Sequence, residues 1–121
     1  MRVSTIASRA EALRMARPTA VHWGILRWGG YWLGPAGLRL PPMEIPEAVK
    51  QVYPDLSHAH DWEAAIKATA FVPDDIVAQL CEAMGLIGTP ADAAARIAEM
   101  TTLGVRNLYL MPLLTFAPPE G

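Results

Sequence analysis

Residues 86–111 read LIGTPADAAARIAEMTTLGVRNLYLM, and this stretch decides the fold of the chain. It opens with a short extended piece over 86–88. The clearest helix start in the sequence follows over 89–92, where Thr suits the N-cap, Pro suits the first helical position and Asp stands three residues after the cap. Gly104 predicts the end of this helix, and the apolar run 105–111 then predicts a strand that is buried in a parallel sheet. The stretch is therefore a helix–strand unit of the α/β kind.

The sequence also predicts which face of this helix is buried and how the helix ends. The apolar spacing predicts a buried helix face, made of Ala93, Ala94, Ile97, Met100 and Thr101. Gly104 is predicted to adopt the left-handed conformation that glycine accepts at a helix C-terminus.

The N-terminal part of the chain predicts a strand followed by a helix. Residues 3–6 are rich in β-branched side chains and predict a short strand. Ser8 predicts the N-cap of a helix over 9–17, and a glutamate three residues later completes a capping-box pattern. Pro18 either ends this helix or starts a second helical piece over 19–28.

Glycine and proline break the middle of the chain into short pieces. Residues 29–46 are predicted to form a loop, and helical segments are predicted over 47–53 and 61–69. Pro73 predicts the first position of a further helix, which Gly85 is predicted to end in a left-handed cap. The predicted buried face of this helix is Ile76, Val77, Leu80, Cys81 and Met84.

Length and composition exclude several classes of protein. With 121 residues the chain has room for one domain. Apolar residues make up 52% of it and its net charge is only −2, which excludes a disordered chain. The lack of a positive net charge disfavours nucleic-acid binding. The single cysteine, Cys81, excludes an internal disulfide, so a cytoplasmic location is the default expectation. Residues 21–38 are the best candidate for a membrane span, but Arg27 and several glycines argue against it.

These elements give about five helices and two convincing strands, one at each end of the chain. A buried parallel strand needs neighbours on both sides. The sequence therefore predicts either a piece of a larger fold or a chain that borrows strands from a partner.

The segment 71–111 resembles the luciferase-like oxidoreductases, the bacterial-luciferase-type enzymes that use FMN or a deazaflavin. The resemblance rests on the sequences FVPDD over 71–75, LIGTP over 86–90, LGV over 103–105 and NLYL over 107–110. The family fold is a (β/α)8 TIM barrel of about 250 residues. The resemblance thus implies that residues 1–121 are a single segment, the C-terminal part of such a barrel, mostly helical with a short N-terminal strand and one C-terminal strand.

The family also implies an activity and partners. It implies hydride transfer through a flavin or deazaflavin, or the insertion of one oxygen atom into a small-molecule substrate. The flavin carries that chemistry, and the isolated chain is expected to lack a complete site. A complementing N-terminal barrel chain or a second copy is the expected partner. The alternative is a non-enzymatic helical module that uses a tryptophan-rich face to bind a partner or to dimerise.

Five residues are candidates for contact with the flavin. An aromatic cluster contributes Trp23, Trp28 and Trp32, and the end of the last strand, which faces the active site in barrels, contributes Pro112 and Thr115. Packing in a core or an interface is the alternative interpretation of the tryptophans, and an apolar tail is the alternative for the C-terminal pair.

Three further motifs have a plain structural interpretation. Residues 58–61 read His-Ala-His-Asp, which suggests a metal site but fits a polar turn before a helix better. The Gly-Thr-Pro sequence at 88–90 could receive a phosphate, although simple helix capping explains it and Asp92 would repel the anion. Cys81 is expected to be a small core residue rather than a nucleophile.

Overall fold

The structure is a computed structural model that describes residues 2–5, 8–27, 34–35 and 37–112, with only the backbone described at 2–5 and 111–112. Helices dominate, and the strands are short. The elements in chain order are β1 (Arg2–Thr5), α1 (Arg9–Val21), a π-helix (His22–Arg27), α2 (Glu47–Lys50), α3 (Trp62–Ala68), α4 (Asp74–Met84), β2 (Gly85–Gly88), α5 (Pro90–Thr102) and β3 (Met111–Pro112).

The three strands form one parallel sheet in the order β2–β1–β3. Arg2 pairs with Gly85 on one side and with Met111 on the other, so β1 has a neighbour on both sides. The expectation that the terminal strands lack partners within the chain is therefore wrong. The short piece 86–88, which did not count among the convincing strands, supplies the missing partner as β2. The α/β class is confirmed.

The strand order also bears on the expected barrel. Consecutive strands are neighbours in a (β/α)8 barrel. Here β2 and β3 are consecutive along the chain, but β1 lies between them. Among the described residues the sheet is open and does not close into a barrel.

Helix α1 passes through Pro18 without ending. The Oγ of Ser8 accepts a hydrogen bond from the Glu11 N–H at 3.4 Å, which confirms the predicted N-cap. The Glu11 carboxylate does not complete a capping box, because it pairs with Arg14 at 2.9 Å instead. The backbone N–H of His22 donates to the Pro18 carbonyl, so the helix runs on to Val21 and continues as the π-helix. Of the two alternatives at Pro18, an end of the helix is therefore wrong, and helical structure continues as far as Arg27 without a break at Pro18.

The small side chains of α1 allow close packing at the centre of the fold. Ala12, Ala16 and Ala20 recur every four residues and are fully buried. Their face packs α1 against α3, α4 and β2. The core continues through Leu56 and Val72, which lie in the connections on either side of α3.

Helix α4 has the predicted buried face but not the predicted start or end. Ile76, Val77, Leu80 and Cys81 are buried, and Met84 is half-buried. Pro73 is the N-cap rather than the first helical residue. Gly85 has φ of 178°, which is extended backbone rather than a left-handed cap, and it is the first residue of β2. The helix therefore runs directly into the strand.

The last helix starts and ends as predicted. Thr89 Oγ1 accepts from the Asp92 N–H at 3.1 Å, and the Asp92 carboxylate accepts from the Thr89 N–H at 2.9 Å, which makes a complete capping box. Gly104 has φ of 92°, which confirms the predicted left-handed residue after the helix.

The expected burial of this C-terminal unit is wrong. No residue of α5 is buried, and residues 105–110 are exposed and have no regular structure. The predicted strand 105–111 is reduced to the two residues of β3. The apolar side chains of residues 105–110 stay exposed because no described element of the chain packs over them.

The two remaining helices are short. Helix α2 spans one turn rather than the predicted 47–53. Helix α3 agrees closely with the prediction, since Asp61 is its N-cap and its carboxylate accepts from the Ala64 N–H at 3.1 Å. Among all helices in the described part of the chain, none is long and apolar enough to cross a membrane.

Candidate functional site

Trp23 is the one predicted flavin-contacting residue whose side chain the structure describes. It lies in the π-helix. π-Helices are rare in proteins, and those that occur are often found at functional sites. Its indole Nε1–H donates to Ser57 Oγ at 3.1 Å, and the His22 ring stands edge-on to it with centroids 5.1 Å apart. These contacts hold the half-buried indole against the loop that precedes α3. A role for Trp23 in a flavin site stays a prediction.

The other four predicted residues lie elsewhere or outside the described residues. Pro112 is in β3, where its backbone is paired in register with Val3. Trp28, Trp32 and Thr115 fall outside the residues that the structure describes. Trp23 and Pro112 therefore lie on separate elements, one anchored at Ser57 and the other in the sheet.

The π-helix is seated on α4 through a glycine. A Cβ added at Gly24 would lie 2.7 Å from Leu80 Cδ2, closer than side-chain atoms approach each other. Leu80 is fully buried. Glycine at position 24 therefore allows the π-helix to pack closely against the core and fixes the position of Trp23.

The His-Ala-His-Asp motif forms a turn and a helix cap. Asp55 accepts hydrogen bonds from the backbone N–H of Ser57 at 2.7 Å and from the Nδ1 of His58 at 3.0 Å. Burial alone would raise the pKa of Asp55, but the hydrogen bonds from His58 and Ser57 outweigh it and lower the pKa. Within the described residues, no group of three or more His, Cys, Asp or Glu side chains could hold a metal ion.

The N-terminus of α5 is occupied by its own carboxylate. The hydrogen bond from the Thr89 N–H lowers the pKa of Asp92, and the nearby Arg9 contributes to the same direction. A negative charge already lies at the position that a phosphate would take. The capping interpretation of the Gly-Thr-Pro motif is therefore the one that the contacts favour.

A buried arginine was not expected. The guanidinium of Arg17 donates to the carbonyl oxygens of Thr69 at 2.6 Å and Val72 at 2.7 Å, and it pairs with Asp74. Only 11% of its side chain is exposed, whereas that of Asp74 is 99% exposed. The only signal in the sequence is that Arg17 shares a helical face with Leu13.

Cys81 is an inert core residue, as predicted. It is buried, and this burial raises the pKa of its thiol to about 12. The thiolate that a nucleophile requires is therefore almost absent at neutral pH.

Of the concavities among the described residues, one of about 280 Å³ is lined by Arg17 and Asp74, and two others carry charged groups at their edges. A cavity of about 170 Å³ lies between α1, α4, β2 and α5, and its walls carry charges of both signs, from Arg9, Glu82, Asp92 and Arg96. The Nε of Arg96 is buried there with no hydrogen-bond partner in the described part of the chain.

The other of these two concavities is an open groove of about 570 Å³ beside α2 and α3. Small apolar residues of both helices form its base, and the polar groups at its edges are those of Gln51, Tyr53, His60, Asp61 and Lys67. The sequence analysis did not identify this groove: it singled out His60 and Asp61 as part of the His-Ala-His-Asp motif, but no pattern links them to Tyr53 or Lys67.

Comparison of the chain with models of protein families, with curated proteins and with solved structures finds no match.

Proposed function

We propose that this chain is the C-terminal part of a luciferase-like oxidoreductase that depends on FMN or a deazaflavin. In the completed protein, the bound flavin supplies hydride transfer, or the activation of oxygen for insertion into a substrate. The present chain contributes the last helix–strand unit of the barrel and part of one wall of the pocket.

The observation that carries this proposal is the unit made of β2, α5 and β3. A strand leads into a helix through the Thr89–Asp92 capping box, and the helix ends at the left-handed Gly104 before a parallel strand. These are the positions on which the resemblance over 71–111 rests. Parallel strands linked by a capped helix are the repeating unit of a (β/α)8 barrel.

The exposed apolar C-terminal segment supports an incomplete fold. Leu108, Tyr109 and Leu110 are 37%, 80% and 47% exposed, and they stand directly before β3. Apolar strands of this composition belong in parallel sheets covered by helices. Additional barrel strands and helices would cover them.

The proposal requires a change in strand order. In a barrel, β2 and β3 must be direct neighbours, whereas β1 now separates them. We therefore expect β1 to leave its place between them when the remaining barrel strands are present.

The described residues alone do not fit a flavin. The Trp23 indole N–H is bonded to Ser57, and the Asp92 carboxylate fills the one helix N-terminus that follows β2. A flavin pocket must bury most of the ring system and anchor the phosphate. The described residues therefore lack the groups that would hold a flavin for catalysis.

The rival function is a binding module with an exposed tryptophan-rich face. The two tryptophans that the structure describes do not contribute an open indole N–H to such a face. Trp23 donates to Ser57, and the indole of Trp62 donates to the Met15 carbonyl at 3.0 Å, so both are engaged within the fold.

Complementation tests the proposal. The chain would be produced alone and fused to any in-frame barrel segment encoded upstream of Met1, and both proteins would be assayed for oxidation of reduced FMN and of reduced deazaflavin. We expect turnover from the fusion and none from the chain alone. A folded fusion that turns over neither flavin would contradict the proposal, and so would an upstream region that encodes no such segment.

A further inference from the structure

The base of the groove beside α2 and α3 is made of small apolar side chains. Ala48 and Val52 contribute from α2 and the residues after it, and Ala64 and Ala68 contribute from α3. Ala64 and Ala68 are spaced by four residues and share one face of α3, whereas Val52 lies in the turn that follows α2. The volume of about 570 Å³ falls in the range that small-molecule ligands occupy.

An aromatic ring stands at one end of the groove. Tyr53 is 73% exposed, which is unusual for a large ring that its neighbours hold in place. The His60 ring meets it edge-on, with centroids 5.2 Å apart and planes at 82°, and the His60 backbone N–H donates to the Tyr53 carbonyl at 3.1 Å. The ring is thereby positioned while most of its surface stays open for stacking.

A lysine stands at the other end. The ammonium of Lys67 has no hydrogen bond or ion pair with any residue in the described part of the chain. Lys50, by contrast, pairs with Glu47 at 3.3 Å. Lys67 thus offers an unused positive charge at the edge of an apolar groove.

The charges set the direction in which a ligand lies. Asp61 lines the groove at the same end as Tyr53 and His60, since it directly follows His60. Lys67 lies five positions after Trp62 in α3, which corresponds to a rise of about 7.5 Å. An anionic group is repelled by Asp61 and attracted by Lys67, and the spacing between the ends matches a short arylalkyl acid.

We propose that this groove binds a small arylalkyl carboxylate, with its aromatic ring against Tyr53 and its carboxylate at Lys67. The site uses none of the residues assigned to the flavin. Its test is therefore independent of the proposed oxidoreductase function.

The probe is 3-phenylpropionate, titrated into the ¹⁵N-labelled chain and followed by two-dimensional amide NMR. We expect shifts centred on Val52, Ala64 and Ala68, with a Kd of about 1 to 10 mM for a ligand of this size. The uncharged 3-phenylpropionamide is expected to bind about threefold more weakly, because it lacks the ion pair with Lys67.

Two variants and one matched control complete the test. Lys67→Met is expected to weaken 3-phenylpropionate binding about threefold and to abolish the preference for the acid over the amide. Ala64→Leu fills the base of the groove and is expected to weaken binding about tenfold or more. Ala64 is exposed on α3, so the variant keeps the fold. Lys50→Met, which removes a lysine outside the groove, should bind as the unchanged chain does.

Several results would overturn the proposal. They are equal affinity for the acid and the amide, an unchanged affinity in both Lys67→Met and Ala64→Leu, and shifts centred outside the groove. Binding of an acidic peptide at the groove, with none of the small acid, would also overturn it.

Discussion

Arg17 and Val72 are 55 residues apart in the chain and are joined by a hydrogen bond of 2.7 Å from the guanidinium Nη1 to the carbonyl oxygen. The same guanidinium reaches Thr69 and Asp74. Helix α1 is thereby fixed to the connection between α3 and α4. The positive charge is balanced by two carbonyl dipoles and one carboxylate, which is why it can be buried.

Replacing Arg17 by methionine should destabilise the fold strongly. Methionine fills a similar volume but takes the guanidinium donor away from the Val72 carbonyl, while the Thr69 carbonyl keeps the Val72 N–H at 3.1 Å, so the expected loss is about 1 to 3 kcal/mol. Urea unfolding followed by circular dichroism measures it. Arg39→Met is the matched control, since Arg39 is exposed, and should change stability by less than about 0.5 kcal/mol. Equal effects of the two substitutions would contradict the assigned role of Arg17.

Gly24 should not tolerate alanine. The added methyl group would meet Leu80 at 2.7 Å in the core, and relief of that overlap should cost about 1 to 3 kcal/mol. Gly34→Ala is the control, because a Cβ at Gly34 meets no atom of the described residues within 4 Å. Thermal unfolding compares the two. If Gly24→Ala melts at the same temperature as Gly34→Ala, the close packing of the π-helix on α4 is not real.

Substitutions of Gly104 should differ in their cost to stability according to how well the new residue tolerates a positive φ. Its φ of 92° disfavours β-branched residues, and Gly104→Val should cost about 1 to 2 kcal/mol. Asparagine tolerates the left-handed region, so Gly104→Asn should cost clearly less. Among the residues that the structure describes, no atom lies within 4 Å of a Cβ at this position, so the difference reports the backbone preference. Equal stability of the two variants would argue against a left-handed Gly104.

Several helix caps were predictable, because they depend on adjacent residues, although the predicted start of α4 at Pro73 and its predicted left-handed end at Gly85 are wrong. Thr89 with Asp92, Ser8 and Gly104 each act within one turn of the chain, and the structure has all of them in the predicted roles. Pro18 was ambiguous for the same reason. Only packing of α1 on the core, which is not a local property, decides that the helix continues through it.

Long-range pairing could not be predicted from local patterns. The sheet partners Arg2 and Gly85 are far apart in sequence, and β2 is too short to give a strand signal. The groove between Tyr53 and Lys67 escaped for the same reason. Lys67, which pairs with no residue in the described part of the chain, lies on the same helix as Ala64 and Ala68, but Ala48, Val52 and Tyr53 come from another segment, and no sequence motif encodes that arrangement.

The turn at Asp55 should give a measurable acid dependence. The pKa of Asp55 is lower than its ordinary value of 3.8, because the hydrogen bonds from His58 and Ser57 outweigh the opposing effect of burial. The ionised form therefore stabilises the fold fully above pH 3.8, and this contribution is lost as the pH falls through the folded pKa. Asp55→Asn should be less stable than the unchanged chain near pH 6, and the gap should narrow below about pH 4. Urea unfolding at several pH values measures it, and a gap that is constant with pH would contradict the assignment.

The central claim is that the chain supplies only part of a flavin site, and flavin binding tests it most directly. FMN and deazaflavin would be titrated into the 121-residue chain and into the protein completed with upstream barrel strands, with tryptophan fluorescence quenching as the readout. We expect weak or no binding by the chain alone and micromolar or tighter binding by the completed protein. Micromolar or tighter binding by the chain alone would contradict the claim that the site is partial, and the absence of binding in the completed, folded protein would contradict the flavin assignment itself.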